Sequence, residues 1–184
     1  MEKTYEMTIA GCRRSLPLCP VNKDLYIAAF VMFGDVEVTV AAARELLKKA
    51  PPYDVMITAE CKGIPLLYEM ARQSDAEHYI VARKGPKLYM QDIHMTYVNS
   101  ITTESRQMLC VGRDEMEFMK GKRVLIVDDV ISTGESLLAL ETLVKEAGGE
   151  VAGRMAVLAE GDAQYRDDII FLEPLPLFRD KRDA

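Results

Sequence analysis

Twice along this chain a short apolar run rich in β-branched residues is followed, across a small polar loop, by a stretch with helical periodicity. "DVMITAE" (Asp54 to Glu60) leads into "KGIPLLYEMARQ" (Lys62 to Gln73), and "RVLIVDD" (Arg123 to Asp129) leads into "SLLALETLVKEAGG". Runs this short and this continuously apolar are strands covered on both faces, the condition of a parallel sheet lying under helices. "HYIVAR" (His78 to Arg83) and "EVAGRMAVLAE" (Glu150 to Glu160) read as further buried strands, and "VEVTVAAARELLKK" (Val36 to Lys49) as a helix closed by lysines and broken by "APPYD". The expected fold is α/β, a mostly parallel central sheet flanked on both faces by helices through right-handed crossovers.

A chain of 184 residues with 49% apolar composition suits one hydrophobic core, so a single domain over residues 1–184 is expected. No apolar run approaches the ~18 residues of a membrane span, and "MEKTYEMTIAG" lacks the charged and apolar regions of a signal peptide, so a soluble, cytoplasmic protein is expected. The net charge of -6 comes without a dense basic stretch, which argues against nucleic acid as the main partner and for a small phosphorylated molecule held in a local pocket. Cys12, Cys19, Cys61 and Cys110 show no CxxC pairing and have only two histidines beside them. They read as reduced thiols, with no zinc cluster.

Ligands of such sheets collect outside the carboxyl ends of the strands, and the "AECKG" and "DDVISTGES" loops both leave the sheet there. In "ISTGES" (Ile131 to Ser136) the backbone N–H groups and the positive end of the following helix make a phosphate cradle. Gly134 permits close approach, and the hydroxyls of Ser132, Thr133 and Ser136 add donors. The same residues also suit an ordinary N-capping turn. Asp128 and Asp129 shift that balance, because two charges at a strand end require a partner, and vicinal sugar hydroxyls or a magnesium ion would serve. A Walker B strand also ends in acids, but the chain has no GxxxxGK[ST] to accompany it. Between Gly85 and Gln107 a polar, weakly periodic segment reads as a long functional excursion, a mobile hairpin.

Taken together, "VLIVDDVISTGES" (Val124 to Ser136) resembles the phosphoribosyl pyrophosphate (PRPP) signature of type I phosphoribosyltransferases: four apolar residues, two acids, two apolar residues and a T-G-containing loop. The resemblance implies the type I fold, with a small N-terminal hood (residues 1–35) over a core (36–184) that carries a flexible flap at about 85–107. It implies that Asp128 and Asp129 hold the ribose 2- and 3-hydroxyls, while Ser132, Thr133, Gly134, Glu135 and Ser136 wrap the 5-phosphate. Glu135 contributes its N–H there, its side chain pointing away. "ITAECKG" is similar to the pyrophosphate loop of the adenine branch, making Glu60, Cys61 and Lys62 pyrophosphate residues. "ARKGPKL" is similar to that branch's "RKxGKL" stretch, making Arg83, Lys84 and Lys87 its partners across a homodimer interface. Magnesium is implied as a cofactor carried mainly by PRPP, with no ligand set of the protein's own.

The implied reaction is attack of a purine ring nitrogen on ribose C1, with inversion and loss of magnesium pyrophosphate. Asp128 and Asp129 act in it together with Tyr97 and Glu104 of the flap. Ser132 stands where the hypoxanthine and guanine branch carries an aspartate, and adenine enzymes usually have a small residue there. The flap lacks the adenine branch's "LEYG" glutamate, for which Glu104 is a loose substitute, and "LYMQD" and "TTES" resemble xanthine phosphoribosyltransferases instead. Phe30 and Phe33 of the hood, with Ile131, are the candidate base contacts. The expected activity is purine salvage with adenine favoured, giving AMP and pyrophosphate. The alternatives are a xanthine enzyme and a non-catalytic PRPP-sensing regulator. The first ~35 residues are too short and too weakly basic for a winged helix, and "AECKG" with "ARKGPKL" speaks against an orotate enzyme.

Overall fold

A computed structural model of the chain describes residues 4–99 and 106–179. It opens with three antiparallel strands, β1 (Thr4–Ile9), β2 (Cys12–Pro20) and β3 (Leu25–Ala28), and continues through α1 (Val36–Lys49), β4 (Val55–Ala59), α2 (Ile64–Gln73) and β5 (Ile80–Ala82). A hairpin follows, β6 (His94–Asn99) and β7 (Arg106–Val111). Then come α3 (Arg113–Met119), β8 (Arg123–Ile131), α4 (Glu135–Glu146), β9 (Glu150–Glu160), a 3-10 turn (Gly161–Tyr165), β10 (Ile170–Leu175) and β11 (Leu177–Arg179). Five strands run parallel in the order β10-β9-β8-β4-β5.

Why the strands read as unbroken apolar runs is visible in where their side chains go. Successive residues of a strand point to opposite faces, and here both faces are covered. Val55, Ile57, Val124 and Ile126 pack with Leu137, Leu140 and Leu143 of α4. Met56, Leu125, Val127 and Met155 pack on the other side with Val38 and Leu46 of α1 and Leu66 and Met70 of α2. Helix α1 begins where expected because Asp35 caps it, accepting from the Val38 N–H at 3.2 Å. Arg14 of β2 donates to both oxygens of Asp35, at 2.7 and 2.9 Å, and to Glu37 at 2.7 Å, which fastens the N-terminal sheet to the helical layer.

Several elements exceed the sequence expectation. Strand β8 continues two residues past Asp129, because Asp128, Val130 and Ile131 keep their register with Ala156, Leu158 and Ala159 of β9. The N-terminal strands are joined by β11, which pairs antiparallel with β3, so the hood is a four-stranded sheet made from both ends of the chain. The polar excursion is a hairpin whose β6 is fastened to the end of α4. Thr96 Oγ1 donates to Glu146 Oε2 at 2.7 Å, and His94 Nε2 lies 2.7 Å from the same oxygen. Glu104, the expected flap acid, lies outside the described residues. No helix among the described residues is long and apolar enough to cross a membrane.

Candidate active site

Strand β8 and helix α4 build the first half of the site. Between them Ser132, Thr133 and Gly134 turn the chain, with Gly134 at φ 81, a left-handed conformation that a side chain strains. Asp128, Ile131 and residues 132–136 line a hollow of about 120 Å³ at this turn. The N–H groups of a helix's first turn favour an anion. The loop expected from "ISTGES" to hold a phosphate lies at such a terminus, on one strand, turn and helix.

The acid pair sits at the inner wall. Asp129 is 2% exposed, and its Oδ2 makes no aligned hydrogen bond although Lys62 Nζ lies 3.2 Å away. Asp128 turns Oδ1 back to accept from the Asp129 N–H at 2.9 Å. Burial, with the charge of Asp129 second, pushes the Asp128 carboxyl up to about 8. Beneath the pair, Thr58 Oγ1 of β4 is also buried without a hydrogen-bond partner. Gly63 closes over both: a Cβ there would stand 2.3 Å from Thr58 Oγ1 and 3.2 Å from Asp128 Oδ1. A buried polar atom without a hydrogen-bond partner is costly, and Thr58 Oγ1 and Asp129 Oδ2 are two such atoms at this point of the sheet.

The second half comes from the turn between β4 and α2, where the peptide joining Glu60 to Cys61 is cis. Glu60 donates its N–H to Ala82 O at 2.8 Å, and its Oε2 accepts from the Lys84 N–H at 2.9 Å. Lys87 Nζ lies 4.0 Å from Oε1. The Lys84 N–H first, and then the charges of Lys87, Arg83 and Lys84, hold the Glu60 carboxyl below its usual range. The backbones of Arg83 and Cys110 bond reciprocally at 2.8 Å, which ties the same basic segment to the base of the hairpin. Glu60 therefore faces the basic loop, with Lys84 and Lys87 at its carboxylate and the charge of Arg83 nearby, while Lys62 turns to Asp129 instead. Glu60→Gln keeps an acceptor for Lys84 N–H and removes the charge facing Lys87. An exposed charge pair of this kind contributes little to folding, so we expect an unchanged melting temperature and binding of inorganic pyrophosphate weakened about fivefold. An unaltered affinity in calorimetric titration would show that Glu60 does not organise the basic loop.

The remaining expected residues are more scattered. Phe30 is buried in the core and Phe33 is 51% exposed on the turn before α1. Ile131 is buried at the cradle floor, Cys61 is exposed, and Tyr97 is exposed on β6. Two residues had no signal in the sequence. Glu160 ends β9 beside the acid strand, and burial pushes its carboxyl up, partly offset by the charge of Lys62. Arg166 reaches Gly134 from the turn after β9. Among the described residues no group of three or more His, Cys, Asp or Glu is placed to hold a metal ion. The acid pair with its unpartnered Oδ2 suits at most a magnesium that takes its other ligands from water and a diphosphate.

Residues 37–174 match the family model of the phosphoribosyl transferase domain. The chain is similar to a hypoxanthine/guanine phosphoribosyltransferase of Methanotorris igneus, 34% identical over 60% of this chain and 56% of that protein. It is also similar to an adenine phosphoribosyltransferase of Thermotoga petrophila, 37% identical over 59% of this chain and 59% of that protein. The chain thus spans less than two thirds of the length of either relative. Its fold is similar to the crystal structure of adenine phosphoribosyltransferase from Thermoanaerobacter pseudethanolicus, with a TM-score of 0.71 over 86% of this chain and 95% of that one. At 20% identity that likeness establishes the type I fold and leaves the base open. The match of the family model to well over half of the chain, on the fold that carries this strand, acid pair and cradle, shows that the chain belongs to the phosphoribosyl transferase domain family.

Proposed function

We propose that this chain transfers the 5-phosphoribosyl group of PRPP to a purine base in nucleotide salvage, with adenine favoured, releasing pyrophosphate and AMP. The observation that supports the reading is the acid pair, with Asp128 lining the hollow at the β8–α4 turn and Asp129 beside Lys62, from the same loop whose Glu60 faces Lys84 and Lys87. Asp128 and Asp129 accept the ribose hydroxyls, and Ser132 to Ser136 receive the 5-phosphate on backbone N–H groups. Lys62, Arg83, Lys84 and Lys87 meet the pyrophosphate. Charge develops on the leaving diphosphate as the bond to C1 lengthens, and cations fixed in advance stabilise it at that moment. Magnesium bound to PRPP would neutralise part of the same charge. The hairpin β6–β7, with Tyr97 and the expected Glu104, closes over the substrate and excludes water from the cationic sugar. The homodimer and the cytoplasmic location belong to this proposal through the resemblance.

The choice of adenine rests on Ser132, a small residue at the entrance of the cradle. The relatives named above divide between adenine and hypoxanthine/guanine, so the base must be measured. Incubated with magnesium, PRPP and each of adenine, xanthine, hypoxanthine, guanine and orotate, the protein is expected to make AMP fastest. Turnover of xanthine in preference would move the assignment to that base. Tight PRPP binding with no turnover of any base would replace the enzyme by a sensor.

A further inference from the structure

The cradle carries a difficulty of charge. A phosphate dianion must settle beside Asp128 and Asp129, and the first residue of α4 is a further acid, Glu135. The helix terminus offers roughly half a positive charge, less than a dianion carries. A fixed cation stands next to the loop. Arg166, just after the 3-10 turn, lies with Nη1 2.9 Å from the point a Cβ on Gly134 would occupy. Glycine at position 134 therefore serves twice, allowing a left-handed turn and admitting a guanidinium that any side chain would displace.

The guanidinium is oriented by its far edge. Its Nε and Nη2 donate to Asp168 Oδ1 and Oδ2 at 2.8 and 2.7 Å, the two-pronged pairing that fixes a planar group in position and angle. Asp168 is 3.8 Å from Arg154 Nε, and Arg154 donates to Glu141 of α4 at 2.5 Å, so the arrangement is tied to the helix whose first turn forms the cradle. Nη1 alone makes no hydrogen bond among the described residues, and the side chain is 34% exposed. A structural brace needs only the edge facing Asp168. An edge left open toward the anion loop is what a ligand contact requires.

We propose that Arg166 is a phosphate-binding residue, donating from Nη1 to the 5-phosphate held by Ser132 to Ser136, with Asp168 as its positioning residue. The proposal rests on the PRPP reading of the site. It is tested on the full chain by titrating the wild type, Arg166→Gln and Arg166→Lys with ribose 5-phosphate, with magnesium PRPP, and with magnesium pyrophosphate, which carries no 5-phosphate. Loss of a charged hydrogen bond should weaken ribose 5-phosphate binding about tenfold in Arg166→Gln. The KM for PRPP should rise similarly with kcat nearly unchanged, and pyrophosphate binding should stay as in the wild type. Arg166→Lys should recover part of the loss, and Arg166→Gln should show a shallower salt dependence. If ribose 5-phosphate binds Arg166→Gln as it binds the wild type, Arg166 has no part in the cradle while the PRPP reading stands. Equal weakening of all three ligands, with a lowered melting temperature and no recovery in Arg166→Lys, would make Arg166 a brace only. A wild type that binds neither ribose 5-phosphate nor PRPP would overturn both readings.

Discussion

Asp128→Asn is expected to lower kcat/KM by about a hundredfold or more, since it removes a charged acceptor of a sugar hydroxyl and a negative charge near the cationic transition state. It should also erase a pH dependence that the wild type displays. Burial, with Asp129 second, holds the Asp128 carboxyl up to about 8, against an ordinary value of 3.8. The raised carboxyl is more readily protonated near neutrality, and hydroxyl donors bind its charged form more strongly, so binding favours release of the proton. Affinity for ribose 5-phosphate should then climb as pH rises toward 8, by at most about tenfold per pH unit, and level off above it.

The effect on folding runs the other way. Because the folded value lies above the unfolded one, the stabilisation from this group is fully present below about pH 4 and is lost as pH rises through about 8. Between those limits the protein should lose stability while gaining affinity. Sugar phosphates titrate near pH 6, so calorimetry from about pH 7 to about pH 9, in buffers of different ionisation enthalpy, isolates the proton released by the protein. Urea denaturation over the same range follows the opposing trend. An Asp128→Asn protein that keeps both slopes would assign them to another group.

The parallel sheet was legible because its strands are buried on both faces. "VLIV" and "VMIT" are apolar without alternation for the reason that Val124 and Leu125, or Val55 and Met56, enter different cores. The hood was not legible in that way. Strand β1 alternates exposed and covered residues, and β2 carries Pro17, so neither stands out as a run. The pairing of β11 with β3 joins opposite ends of the chain and has no local signature. The seven residues of α3 are too few to show a period, and their start is set by Glu115 accepting from the Gly112 N–H. The same division runs through the site. Asp128, Asp129 and the cradle are contiguous and could be read in one glance. Phe30 and Phe33 share one short run, and it is packing that puts Phe30 in the core and leaves Phe33 exposed. The approach of Arg166 to Gly134, and of Gly63 to Thr58 of β4 and Asp128 of β8, bring together segments that no spacing announces.

The last of those meetings gives the other large effect, expected from one added methyl group. Gly63 has φ -73 and ψ -12, an ordinary right-handed conformation. Alanine would be expected to stabilise such a position by about 0.4–1 kcal/mol through the unfolded chain. Packing reverses the sign. The new Cβ would meet Thr58 Oγ1 at 2.3 Å and Asp128 Oδ1 at 3.2 Å. Thr58 is β-branched and fully buried in β4, so it has little freedom to rotate away. The start of α2 must lift instead, carrying Lys62 from Asp129 and straining the Leu67 N–H to Gly63 O bond of 2.9 Å. We expect Gly63→Ala to lose about 1–3 kcal/mol of stability and to bind PRPP poorly. Thr58 Oγ1 forms no hydrogen bond, so its removal forfeits none. Thr58→Ala should therefore restore much of the stability of Gly63→Ala, whereas Thr58→Val, which puts a methyl where the hydroxyl was, should not. Urea denaturation of the single and double variants measures that coupling directly, and strictly additive losses would place the damage somewhere other than this contact.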